Sequence, residues 1–118
     1  MTHHGANGAA FERQVAEHLR GRGWWCVRAA GSHGAADVVA LREGWDPVLV
    51  QAKASGVIRP GEWDELWEAA RRAGGNAVVA DRVIDDSDRR RTRIRFRVLL
   101  GPRTPGDARR RPWEEWSA

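Results

Sequence analysis

Residues 36–53 read ADVVALREGWDPVLVQAK, and this stretch decides the fold. Two apolar runs, 36–41 and 48–53, flank the turn-forming segment Arg42-Glu43-Gly44-Trp45-Asp46-Pro47. The pattern predicts two strands joined as a hairpin that pivots on Gly44. Asp37 and Gln51 are each seven residues from that pivot, so they lie directly opposite one another. Opposed residues on one face of an antiparallel pair have Cβ atoms about 4.5–5.5 Å apart. Lys53, two residues past Gln51, projects from the same face. Val48, Val50 and Ala52 are left to the other face as core.

Working outward, residues 8–22 predict a helix, because Phe11, Val15, His18, Leu19 and Arg22 fall on one stripe before Gly21 and Gly23. Residues 24–30 predict a short strand, and Gly31-Ser32-His33-Gly34 a turn. Pro60-Gly61 opens a second helix to about residue 73, with Trp63, Leu66, Trp67 and Ala70 on its apolar side and Gly74-Gly75 at its end. Residues 77–80 read as a buried strand and 85–91 as a charged loop. Residues 93–98 alternate strictly, which predicts a half-buried strand with an arginine face. The expected order is α-β-β-β-α-β-β, a single small mixed α/β domain over residues 8–100. Residues 1–7 are expected to be a flexible N-terminus. Residues 101–118 are expected to be an irregular basic Pro/Arg/Trp tail, anchored by Trp113 and Trp116. Trp63 and Trp67 read as core or dimer interface, Trp24 and Trp25 as opposite faces of a strand, and Trp45 as exposed.

The chain has 118 residues, enough for one domain and too few for separate cofactor and substrate halves. Lys and Arg total 20 against 16 acidic residues, a net charge of +4 that permits polyanion binding. Of those 20 cationic residues 19 are arginine, and the one lysine is Lys53. No apolar run reaches the roughly 18 residues of a membrane span, and the N-terminus lacks the pattern of a secretory signal. Cys26 is the sole cysteine, which excludes an internal disulfide and a cysteine-based zinc site. The expectation is a cytoplasmic protein (intracellular, nucleoid-associated or in a virus-infected cell) with no membrane contact and no small-molecule cofactor.

The face that holds Asp37, Gln51 and Lys53 suits a hard divalent cation. Mg²⁺ takes oxygen ligands, is held by one or two carboxylates and keeps several waters. Asp37 offers a carboxylate, Gln51 an amide oxygen, and the main chain near Ala52 a carbonyl. Lys53 is suited to orient or deprotonate an attacking water, or to stabilise charge on a phosphate. Arginine does not lose its proton in proteins and so does not serve as that base.

Asp37 with Gln51-Ala52-Lys53 resembles the D-(E/Q)-x-K core of the PD-(D/E)XK nuclease superfamily. With Glu12-Arg13 in the first helix, Arg28 before Gly31-Ser32, and Asp37 on the next strand, the ordered set resembles the archaeal-type (Hjc-like) Holliday junction resolvases. The resemblance runs from about residue 8 to about residue 80. It implies a restriction-endonuclease-like fold, with a central mixed sheet flanked by helices, and a nuclease that cuts four-way DNA junctions by paired symmetric nicks. It implies Glu12, Asp37, Gln51 and Lys53 as catalytic residues, with Glu12, Asp37 and Gln51 on Mg²⁺, Mn²⁺ being the alternative cation. Arg13, Arg28, Ser32 and His33 would contact DNA, and Arg93 and Arg95 are further candidates for phosphate contact. Two symmetric cuts by a domain with one site imply a homodimer, with an interface from the second helix or the strands after it.

Two positions depart from the family pattern. Ala36 stands where the superfamily name has proline. Gln51 replaces the usual acidic ligand, which weakens metal affinity and leaves more of the charge to Glu12. The Gln-x-Lys form also resembles the Mrr-like restriction nucleases, so cutting of duplex DNA in restriction or repair is an alternative. A catalytically inactive DNA-binding relative and a purely structural basic protein are the others.

Overall fold

Phe11, Val15 and Leu19 recur every fourth residue, and that spacing puts all three on the buried side of helix α1 (His3–Gly21). The computed structural model describes residues 3–29, 34–102 and 112–118, with side chains from residue 8 onward. The helix starts at His3 rather than Gly8, so it takes in most of the stretch 1–7 that the sequence placed outside the domain. It ends where Gly23 turns to φ 96° and the Trp24 N–H donates to the Leu19 carbonyl at 3.1 Å.

After α1 come β1 (Trp25–Arg28), β2 (Val38–Leu41), β3 (Val48–Ala52), α2 (Pro60–Arg72), β4 (Asn76–Asp85), β5 (Asp88–Leu99) and β6 (Trp113–Trp116). The strands form one sheet in chain order. Neighbours are antiparallel except β3 and β4, which run parallel. A parallel pair needs a long crossover, and α2 supplies it. The side chains of successive strand residues alternate between the sheet's two faces. Val38, Ala40, Val48, Val50, Val78 and Ala80 therefore pack on α1, while Ala77 and Val79 pack on Trp63, Leu66 and Ala70 of α2. Each large apolar side chain buried this way contributes about 1.5–3 kcal/mol. No helix of the described residues is long and apolar enough to cross a membrane.

The hairpin register is the expected one. Val38 faces Val50, Val39 faces Leu49 and Ala40 faces Val48, with Gly44 at the tip in a left-handed conformation (φ 81°). One step further out, Asp37 sits opposite Gln51.

The distal half of the chain corrects the sequence reading in two places. Residues 85–91 are not a loop: β4 and β5 extend through them as a long hairpin that turns at Asp86 and Ser87. The tail is not wholly irregular either. Its end forms β6 against β5, which adds a strand to the expected order, because Trp116 packs against Phe96 and Trp24 with ring centroids 5.6 and 5.8 Å away. Trp63 is fully buried, Trp24 buried, and Trp25 and Trp45 exposed, each as expected. The Trp63 indole N–H donates to the Gly101 carbonyl at 3.1 Å, which ties α2 to the end of β5.

Candidate active site

The carboxyl end of β3 opens into a cleft of about 520 Å³ whose lining includes Glu12, Asp37, Gln51, Lys53 and Glu62. Three features of the fold bring these residues together. The β2–β3 register places Asp37 beside Gln51, and period-two alternation turns both towards the α2 side. The crossover then returns the first turn of α2 over the end of β3, carrying Glu62 to Lys53. Glu12 arrives from α1.

Asp37 is fixed by the neighbouring strand. Its N–H donates to the Val50 carbonyl, and the Ala52 N–H donates to its Oδ2, each at 2.8 Å. Burial holds the Asp37 carboxyl above the ordinary carboxylate range; the Ala52 N–H and Lys53 pull it down, and nearby Glu62 pushes it up again. Glu12 is also raised, first by burial and then by Asp37, against the opposing pull of Arg28. Its Oε1 lies 3.7 Å from Arg28 Nη2.

Gln51 is buried. Its Nε2 donates to Glu62 Oε2 at 3.0 Å, while its Oε1 is buried with no hydrogen-bond partner among the described residues. Lys53 Nζ lies 2.9 Å from the same Glu62 oxygen, and the Lys53 N–H donates to the Ala80 carbonyl at 2.8 Å. Burial raises Glu62, but the Lys53 ammonium and the Arg59 N–H outweigh it and hold that carboxyl below its usual range.

Glu62 was not among the residues expected at the site. It is the third helical residue of α2 and caps the helix by accepting the Arg59 N–H at 3.1 Å. A capping box is ordinarily announced by Ser or Thr three residues before the acid, and Arg59 in that place conceals it. The usable signal was topological, since a crossover helix begins over the carboxyl end of the strand it leaves.

The loop after Lys53 is braced from below. Gly56 has φ 79°, and a Cβ there would lie 2.9 Å from Asp81 Oδ2, so any other residue is strained and must displace the Asp81 carboxylate. Asp81 is buried and takes a two-pronged contact from Arg95, at 3.0 and 2.6 Å, with Arg97 at 3.5 Å. Arg97 in turn donates to the Gly56 carbonyl at 2.9 Å.

The remaining sequence candidates are scattered. Arg13 is exposed on α1. Arg28 donates to the Ala9 carbonyl at 3.3 Å, and its Nε is buried without a partner among the described residues. Arg93 pairs with Glu115 at 3.1 Å, and Arg95 is closed on Asp81. Ser32 and His33 lie outside the described residues.

Among the described residues no three His, Cys, Asp or Glu side chains are close enough to hold a metal by themselves. The donor set nonetheless fits Mg²⁺. A buried amide oxygen without a donor is costly unless something electropositive meets it. Gln51 Oε1 and the second Asp37 oxygen, completed by waters, would make the oxygen-rich, carboxylate-poor shell that Mg²⁺ accepts.

The family model for archaeal Holliday junction resolvases (Hjc) matches residues 3–95. The chain belongs to that family. Among solved structures, Hjc of Archaeoglobus fulgidus, a Holliday junction resolvase from an archaeal hyperthermophile, aligns with a TM-score of 0.62 and 26% sequence identity. The alignment covers 76% of this chain and 70% of the archaeal one. No curated protein matches the sequence. The likeness establishes a restriction-endonuclease-like fold, and family membership makes the chain a junction-resolving endonuclease. In this resolvase, four of the residues that sequence reasoning singled out, Glu12, Asp37, Gln51 and Lys53, line one cleft.

Proposed function

We propose that the protein resolves four-way DNA junctions by paired symmetric nicks, hydrolysing phosphodiester bonds with a divalent cation at Asp37 and Gln51. The observation that carries this reading is the convergence of those two residues with Lys53 and Glu12 in one cleft of a family member. Asp37 and Gln51 Oε1 would hold the cation directly, and Glu12 from across the cleft, directly or through water. When bound, Mg²⁺ or Mn²⁺ supplies charge neutralisation at the phosphate and lowers the pKa of water. Lys53 Nζ, held by Glu62, is placed to orient the attacking water or to meet negative charge on the phosphate. Arg28, paired with Glu12, and the exposed Arg13 on α1 would hold the DNA backbone. Selectivity would come from the shape and phosphates of the branch, since no element reads as a recognition helix.

The deciding experiment offers a labelled four-way junction and a matched linear duplex with Mg²⁺ or EDTA. Symmetric nicks in the junction alone, lost in EDTA, are expected. Equal cutting of both substrates favours an Mrr-like duplex nuclease. Junction binding without cutting in any divalent metal favours an inactive relative, and no DNA binding at low salt leaves a structural role.

Paired cuts require two sites, and a second copy of this chain is the simplest source. On the sheet face turned away from α1, Trp25, Val27 and Leu41 form a strip that α2 does not cover; they are 62%, 44% and 40% exposed. Monomers rarely leave a contiguous apolar patch to solvent without use. This strip is the proposed interface. Trp25→Glu is expected to convert a dimer to a monomer by light scattering and to turn paired cuts into single nicks. An unchanged dimer would move the interface elsewhere.

A further inference from the structure

The amide of Gln51 can present either an oxygen or an NH₂ group to the cleft, and only the oxygen suits a cation. We propose that Glu62 is the positioning residue that makes this choice and that also holds Lys53; the consequence for the cation rests on the function proposed above. One oxygen, Glu62 Oε2, receives both Gln51 Nε2 at 3.0 Å and Lys53 Nζ at 2.9 Å. A turned amide would set Gln51 Oε1 against that carboxylate oxygen, two acceptors at hydrogen-bond distance with no proton between them. The repulsion excludes it. Oε1 is therefore the amide atom left over, buried and without a donor among the described residues.

The other oxygen of Glu62 is occupied as well, by the Arg59 N–H at 3.1 Å. The helix cap thus locks the carboxylate that in turn locks the amide and the ammonium. The sequence departs from its family where Gln51 replaces an acid, and Glu62 restores a negative charge one step further out. It does so from within the protein, where both its oxygens already accept hydrogen bonds. This explains how a neutral residue at the motif position remains a defined oxygen donor.

Two readouts separate this inference from the cation reading. The first uses metal-free protein: the side-chain NH₂ of Gln51, labelled with ¹⁵N, is expected to show the shifted, exchange-protected signal of a proton held by a carboxylate, and Glu62→Ala is expected to abolish it. The second is Mn²⁺ binding by calorimetry. Glu62→Ala is expected to weaken binding about 10- to 100-fold, the usual effect of removing a ligand's own orienting partner. Glu62→Ala also removes the helix cap, so the exchanged pair Gln51→Glu with Glu62→Gln is the control that keeps it. In that pair the amide oxygen on α2 takes the Arg59 N–H, and the amide NH₂ donates to the carboxylate now on β3; the hold on Lys53 is given up, so the pair tests the oxygen presented to the cleft and not the ammonium. The second oxygen of that carboxylate then faces the cleft. The exchanged pair is expected to fold and to bind Mn²⁺ at least as tightly as the natural chain.

An unprotected Gln51 amide in the natural protein overturns the inference. So does Mn²⁺ affinity in Glu62→Ala within twofold of the natural chain, or an exchanged pair that folds but does not bind. If the natural chain binds no Mn²⁺ at all, the cation reading fails, and the Gln51 amide signal alone then decides the role of Glu62.

Discussion

Asp37→Asn is expected to slow junction cutting by about 10³-fold or more while making the metal-free protein more stable at neutral pH. The two effects share one cause. Asparagine keeps an oxygen to accept the Ala52 N–H, so the join between β2 and β3 survives. What goes is a negative charge that the fold holds at a cost: burial first, and then Glu62, raise the pKa of Asp37. A carboxyl whose folded pKa exceeds its unfolded value of about 3.9 favours folding only while it is protonated. Its contribution is fully present below the unfolded pKa and is lost as pH rises through the folded value. The gain from asparagine should therefore be seen at pH 7 and vanish below about pH 4. Activity moves the other way, because several kcal/mol of charge stabilisation at the phosphate would depend on the cation proposed there, and each 1.36 kcal/mol is about tenfold in rate. Mg²⁺ should raise the melting temperature of the natural protein by mass action and leave that of the variant unmoved. Cutting by Asp37→Asn within tenfold of the natural rate would remove Asp37 from the site.

The proximal half of the fold was legible because its signals are local. Period-two alternation on both sides of a glycine turn fixed the β2–β3 register to the residue, and with it the meeting of Asp37 and Gln51. Four-residue spacing likewise marked the buried sides of α1 and α2. Resemblance added Glu12, which no local pattern links to the hairpin; only packing of α1 across β1, β2 and β3 brings it there.

In the distal half the strands at 77–80 and 93–98 were legible, but their extension through 85–92 and the added β6 were not, for a related reason. Alternation is visible when one face of a strand is covered, and residues 88–92 of β5 are exposed on both faces. Nothing in their order distinguishes a solvated strand from a loop. In β6 the tryptophans are three residues apart, which is not a strand's period. Trp116 finds its place through Phe96 and Trp24, residues far away in the chain. The same holds for Arg95. As one of three alternating arginines it reads as a phosphate contact, and only the β4–β5 register, which sets it directly opposite Asp81, shows a buried partner.

That partner carries the second large effect. Asp81→Ala is expected to cost about 3 kcal/mol or more, since removing one member of a buried ion pair leaves its mates with uncompensated charge. Asp81 is 2% exposed at its side chain, against 25% and 11% for Arg95 and Arg97, so little water reaches the pair to replace it. For a chain of this size the loss corresponds to roughly 12 °C in melting temperature, at about 4 °C per kcal/mol. Surface pairs behave differently: water and salt screen the exposed contact between Arg72 and Glu68, so breaking it should leave stability almost unchanged. Function should suffer beyond stability, because Asp81 and Arg97 together grip Gly56, three residues past Lys53. Well below its melting temperature, the variant should still bind junctions but cut them more slowly, as the loop that leaves Lys53 loosens. Denaturation by urea, with a double-mutant cycle pairing Asp81→Ala with Arg95→Ala, measures the coupling directly. A cost under 1 kcal/mol for Asp81→Ala would show that the network is incidental, and would return Arg95 to the candidates for holding DNA.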